Sequence, residues 1–125
     1  MRHRKSGYKL SRSKDQRTAL RRNLVNQLFD HERIRTTRAK AEAVRGQAEN
    51  LITLAKKGNS AGDEYMVHAR RLAAARMSDP VAVKKLFDDI APRFQNRNGG
   101  YTRLIHLGPR HGDAADMVLL ELIED

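Results

Sequence analysis

The fourteen residues from Met1 to Lys14 (MRHRKSGYKLSRSK) hold six Lys or Arg, no acid, and only Tyr8 and Leu10 as sizeable apolar side chains beyond Met1. A segment with so little to bury cannot join a packed core, and Ser6, Gly7, Ser11 and Ser13 favour turns over a regular element. The fold must therefore be built from the remaining stretch of about 110 residues, which suits one modest domain. Charge follows the same division. Residues 1–40 carry thirteen Lys/Arg against three Asp/Glu and residues 41–125 balance at twelve against twelve, so the net +10 is concentrated at one end. A polyanionic partner met mainly by that end is the first inference.

An isolated charge run is as a rule a solubilising tail. Here Arg2, Arg4 and Arg12 bring planar forks suited to phosphate and base edges, and Lys5, Lys9 and Lys14 add point charges. Each cation that docks on a phosphate releases condensed counterions. The segment reads as a phosphate-binding arm, disordered alone and ordered by its partner. Its Arg- and Ser-rich, acid-poor composition also fits an organelle transit peptide. Against that, the basic run passes straight into a helix of the domain, so no cleavable presequence is expected. There is no secretory hydrophobic stretch, and no run approaches the roughly 18 apolar residues of a membrane span.

With three Phe, three Tyr and no Trp, the chain has few platforms for stacking unpaired bases, so a nucleic acid would be gripped through phosphate, sugar and shape. The absence of cysteine excludes disulfides, a thiolate nucleophile and the usual Cys-containing zinc sites.

Ser13 and Gln16 have capping-box spacing, which starts a helix near Lys14 that runs to about Phe29. Leu20, Leu24 and Leu28 form its stripe, widened by Val25 and Phe29. Arg17 and Arg21 fall inside that apolar arc. The simplest resolution is that the first turns project beyond the core as a continuation of the arm, carrying Arg17, Arg21 and Arg22 toward the same partner. His31 to Thr36 alternates around Ile34 as a short strand, and Thr36 or Thr37 caps a long helix to Lys57, with Gly58 as its stop. The pairs Arg38/Glu42 and Arg45/Glu49 read as its solvated face.

After a loop at Asn59 to Gly62, a third helix covers Asp63 to Met77. Ser78-Asp79-Pro80 opens a fourth, with Val83, Leu86, Phe87 and Ile90 on its core side and Pro92 as its end. Arg93 to Gly100 (RFQNRNGG) is a basic loop in which Arg93 and Arg97 flank Phe94. It is either a second nucleic-acid contact or only a linker. Tyr101 to Leu107 and Ala115 to Glu124 read as strands. Both faces of Met117 to Leu120 are apolar, as in a central strand covered by helices. The expected fold is α+β: about four helices on a three-stranded mixed or antiparallel sheet, organised as an arm (1–14) and one domain (15–125).

Chemistry is hard to find. His3, His31, His68, His106 and His111 show neither HExxH nor paired i,i+4 spacing. Asp88 and Asp89 are consecutive on a helix and diverge. The glycine segments match neither a P-loop nor a dinucleotide fingerprint, and no serine sits in GxSxG. No cofactor is expected, and an enzyme, for example a phosphate-processing one, is the weakest reading. A DNA-binding architectural protein is the nearer rival, but the strand-like HERIRT segment does not fit a helix-turn-helix.

Met1-Arg2-His3 with Lys5, Gly7, Leu10 and Arg12, the Ile34-x-Thr36-Thr37-x-x-Lys40-Ala41 junction, Leu51-Ile52-Thr53-x-Ala55-Lys56, Ala91-Pro92-Arg93-Phe94, Gly99-Gly100-Tyr101-Thr102-Arg103 and Glu121-Leu122 together resemble the bacterial large-subunit ribosomal protein L-seventeen family, in order and from end to end. The resemblance implies a structural, non-enzymatic component of the cytoplasmic ribosome, one copy per particle. It implies binding to large-subunit ribosomal RNA near the nascent-chain exit, beside other ribosomal proteins. It also implies RNA contacts at Arg2, His3, Arg4, Lys5, Lys9, Arg12, Lys14, Arg17 and Arg22, and at Arg103. No site is drawn from the stretch between Lys57 and Ser78.

Overall fold

The boundaries of the first helix follow from its caps. In the computed structural model, which describes residues 13–123, α1 spans Lys14–His31. Ser13 and Gln16 form the anticipated capping box: Ser13 Oγ accepts from the Gln16 backbone N–H at 3.3 Å, and Gln16 Oε1 accepts from that of Ser13 at 3.2 Å. The helix ends on Glu32, which adopts the left-handed conformation (φ 67°) and donates its N–H to the Leu28 carbonyl. Such a C-terminal position is usually glycine, since other residues meet a steric penalty there. Glu32 is held by contacts on every side. Its carbonyl accepts from Leu122 N–H, and its carboxylate receives Arg93 and Lys85.

Strand β1 (Arg33–Thr37) leads directly into α2 (Arg38–Ser60), with Thr37 as the capping residue. Then come α3 (Asp63–Met77), α4 (Pro80–Lys85), a π-helical turn (Leu86–Ile90) and α5 (Ala91–Arg93), the last three forming one continuous rod. Asp79 starts that rod by accepting from Val81 and Ala82 N–H, with Pro80 in the first turn, where its missing N–H costs nothing. Strands β2 (Thr102–Pro109) and β3 (Asp116–Leu122) close the chain. The sheet order is β1-β3-β2 with both pairings antiparallel, so β3 is the central strand. This is the expected α+β architecture, with the mixed-sheet option removed.

The helices cover one face of the sheet only. Val118, Leu120 and Leu122 of β3 are buried, while Met117, Leu119 and Glu121 on the other face are half-buried. Both faces of β3 are apolar because its outer face is shielded by cross-strand neighbours, among them Arg35 and Ile105 opposite Leu119. The core itself is aliphatic with three phenylalanines, Phe29, Phe87 and Phe94, fully enclosed.

Three local expectations are corrected by packing. Helix α2 does not stop at Gly58 but runs to Ser60. Gly58 faces inward, and a Cβ on it would lie 2.8 Å from Ala69 Cβ and 3.2 Å from Phe87 Cε2, so the glycine permits the close approach of α3. The predicted loop thereby shrinks to Ala61 and Gly62. Pro92 does not end the fourth helix, because the π turn widens the helix just before it and Ala91 N–H reaches the Leu86 carbonyl. One further turn, Ala91–Arg93, follows.

Finally, Arg45/Glu49 is a partly solvated pair that also has a structural task. Glu49 Oε2 accepts from Thr102 N–H at 3.2 Å and Oγ1 at 2.6 Å, and Arg45 Nε donates to the same hydroxyl at 3.1 Å, pinning the start of β2 to α2. Arg38/Glu42, at 3.0 Å, is the pair that lies outside.

Candidate nucleic-acid interface

The burial of α1 separates two halves. Val25, Leu28 and Phe29 are buried, whereas nothing from Lys14 to Leu24 is. No residue of these first turns is fully buried, which accommodates Arg17 on the leucine stripe, whereas Arg21 lies against α2 and α3 with its Nε enclosed. Lys14 is exposed, and Arg17, Arg21 and Arg22 are half-buried along the helix flank. The Arg17 guanidinium has no hydrogen-bond or ion-pair partner among the described residues. Arg22 Nε donates to the Arg76 carbonyl at 3.0 Å. The arm cations Arg2, Arg4, Lys5, Lys9 and Arg12, with His3, lie outside the described residues, immediately upstream of this basic helix.

The other three predicted contacts do not join α1. Arg93 is enclosed, with its side chain only 22% exposed. It forks onto both carboxylate oxygens of Glu32 and reaches Asp89 Oδ1 at 3.3 Å. The geometry therefore supports the linker reading of this position. Arg97 lies half-buried in the loop, where Nη1 reaches the Gly100 carbonyl at 3.5 Å. The Arg97 carbonyl accepts from Lys56 Nζ, which also bonds the Tyr101 hydroxyl at 3.1 Å. Arg103 stands on the open sheet face, with Nε 2.8 Å from Glu121 Oε1.

That open face holds two residues the sequence reading missed. Arg33 and Arg35 project from β1 opposite Glu121 and Leu119, exposed and without ion-pair partners among the described residues. The alternation Arg33-Ile34-Arg35 was the available signal, since period two sets both arginines on the face opposite Ile34. Arg33 and Arg103 border a polar recess of about 570 Å³, and Arg35 and Arg110 border another of about 350 Å³. Between them Ile105 (39% exposed) and Leu107 (48%) are open to solvent.

The Glu32 cluster has a pH signature. The hydrogen bond from Arg93, supported by charge attraction from Arg93 and Lys85 and opposed by partial burial, holds the Glu32 carboxyl below its ordinary 4.5. A depressed folded-state value stabilises the fold above the unfolded-state pKa, and that contribution disappears as pH falls through the folded-state value. Glu32→Gln is expected to cost about 1–2 kcal/mol at pH 7 and progressively less below about pH 4. Thermal melts of both chains from pH 7 to pH 3 measure this, and a constant gap across that range would refute it.

Among the described residues no three His, Asp or Glu side chains converge as metal ligands, and no helix is long and apolar enough to cross a membrane. Residues 20–123 match the sequence pattern of the family described as Ribosomal protein L17. The chain belongs to this family. Relatives named large ribosomal subunit protein bL17 agree with it over nearly the whole length of both partners. The Caldanaerobacter subterraneus subsp. tengcongensis protein is 53% identical over 92% of this chain and 96% of its own. That from Pelobacter propionicus is 49% identical over 100% and 93%, and that from Clostridium acetobutylicum 48% over 94% and 98%. L17 membership makes the chain a structural ribosomal protein, not an enzyme.

Proposed function

We propose that the chain is a constituent of the large subunit of the bacterial cytoplasmic ribosome. It binds large-subunit ribosomal RNA through the arm (Arg2, His3, Arg4, Lys5, Lys9, Arg12) and through Lys14, Arg17, Arg21 and Arg22 of α1. The observation that carries this reading is the unburied first half of α1, which extends the arm's cations as a helical track outside the core. The mechanism is electrostatic and positional: phosphates are neutralised, counterions leave, and the arm orders on binding. Arg103 and Arg97 are secondary contacts. Arg93 is assigned to the Glu32 cluster instead. Family resemblance supports a location near the nascent-chain exit, beside other ribosomal proteins, at one copy per particle.

Sedimentation of a cell lysate on a sucrose gradient tests the reading. The chain should co-migrate with the large subunit at one-to-one stoichiometry and remain through a high-salt wash. Recovery at the top of the gradient would reject it. Excess duplex DNA that displaced the RNA would favour a DNA-binding protein, although the presence of β1 between α1 and α2 already removes a helix-turn-helix.

A further inference from the structure

Where α1 passes the last turn of α3 and the middle of α2, a cleft of about 280 Å³ opens, lined by Thr18, Arg21, Arg22, Gln47, Ala75 and Arg76. Three arginines and a glutamine line it, with no Asp or Glu among the lining residues. Several arginines elsewhere on the described surface are matched by acids, as in Arg38/Glu42, Arg70/Asp88, Arg103/Glu121 and Arg110/Asp113. An acid-free cluster of this kind favours an external anion. We propose that the cleft seats one phosphodiester of the RNA strand gripped by the arm and α1, with Arg76 and Gln47 as additional ligands. This rests on the RNA-binding reading above and extends it to α2 and α3.

The cleft is preorganised. Arg22 Nε is anchored on the Arg76 carbonyl at 3.0 Å and Asn26 Nδ2 on the Met77 carbonyl at 2.9 Å, so α1 is fastened to the end of α3. These bonds matter twice. They satisfy carbonyls at a helix C-terminus, whose partial negative charge would otherwise disfavour an anion. They also orient Arg22 while engaging only one of its five N–H donors, leaving the rest of the fork for phosphate oxygens. The Gln47 amide makes no hydrogen bond among the described residues, and its NH₂ can donate to an oxyanion. Along α1 the residues Lys14, Thr18 and Arg22 recur at i,i+4 spacing, so the same face leads from the arm into the cleft.

The test uses the full chain and a large-subunit ribosomal RNA transcript, with affinity measured between about 50 and 300 mM salt, a roughly sixfold range spanning physiological strength. Arg76→Ala is expected to lower affinity roughly tenfold and to shallow the salt slope by about 1. Gln47→Ala should weaken binding less and leave the slope unchanged. Arg71→Ala, on α3 but outside the cleft, gauges the effect of removing any α3 cation. If Arg76→Ala matches Arg71→Ala while Arg17→Ala still weakens binding, the phosphate seat is wrong and the RNA-binding reading stands. If none of the arginine variants changes affinity, the RNA-binding reading itself fails.

A second arm separates RNA phosphate from a free anion. Inorganic phosphate titrated into the chain at millimolar concentration should neither saturate the cleft resonances nor displace the transcript. Tight, Arg76-dependent binding of inorganic phosphate with RNA affinity independent of Arg76 would instead make this a free-anion site and overturn the proposal.

Discussion

A chain lacking residues 1–14 is expected to stay folded and to lose at least about a thousandfold in affinity for large-subunit RNA near 0.1 M salt. Both halves of that outcome follow from where α1 begins to be buried. Among the described residues the first enclosed side chain is Val25, so the first turns of α1 place no fully buried residue in the core. The structural cost of the deletion is the Ser13 cap, worth about 1 kcal/mol and confined to the projecting end of α1. The binding cost is larger because six cations leave together. At a slope of roughly 0.7–0.9 per phosphate neutralised, the dependence of log K on log salt should shallow by about 4–5 if all six dock. Deleting only residues 1–12 keeps Ser13 and Lys14 and separates the two costs. Filter binding across a salt series and a thermal melt measure both. Unchanged affinity would show that the arm is a solubilising tail, and a collapsed melting temperature would show that it belongs to the domain.

Features written in adjacent residues were legible in the sequence. The Ser13/Gln16 box, the Thr37 cap and the Asp79-Pro80 start are each decided within one helical turn, and each falls where the spacing put it. The two-sided apolar pattern of Met117 to Leu120 gave the central strand. What escaped was decided by elements far apart in sequence. Nothing local says that Gly58 faces Ala69, that Glu49 reaches Thr102, or that Arg93 returns to Glu32 across 61 positions. Pro92 misled for a related reason: its steric demand is real, but a π turn absorbs it without ending the helix.

The candidate interface shows the same division. The run of cations into α1 could be read directly, while Arg33 and Arg35 needed the sheet face and Arg76 needed the crossing of α1 and α3. Charge density along the chain points to a polyanion partner. Only the fold says which arginines are left for the polyanion and which are tied to carboxylates.

Phe87→Ala is expected to cost about 3–5 kcal/mol, a large share of the roughly 5–15 kcal/mol that holds a domain together, and to lower the melting temperature by roughly 15 °C. Phe87 is 1% exposed and lies where α2, α3 and the π turn meet. Its ring sits in the space left by the absent Gly58 side chain, with Arg70 Cζ 4.7 Å from the ring centroid on α3. Its carbonyl accepts from Asn59 Nδ2 at 2.9 Å. Removing the ring leaves a cavity that three backbones cannot collapse to fill.

Gly58→Ala should be milder, because about 1 kcal/mol of helix propensity is gained against about 1–3 kcal/mol of overpacking. The two changes should also be coupled. With the Phe87 ring gone, one of the two close contacts of the new Cβ disappears, while the 2.8 Å approach to Ala69 remains. Gly58→Ala should therefore cost less in the Phe87→Ala background than in the parent chain. Denaturant melts of the two single variants and the double variant close the cycle. Additive losses would mean that Phe87 and Gly58 do not share the crossing, and that α3, with Arg76 at its end, is held against α2 by other contacts.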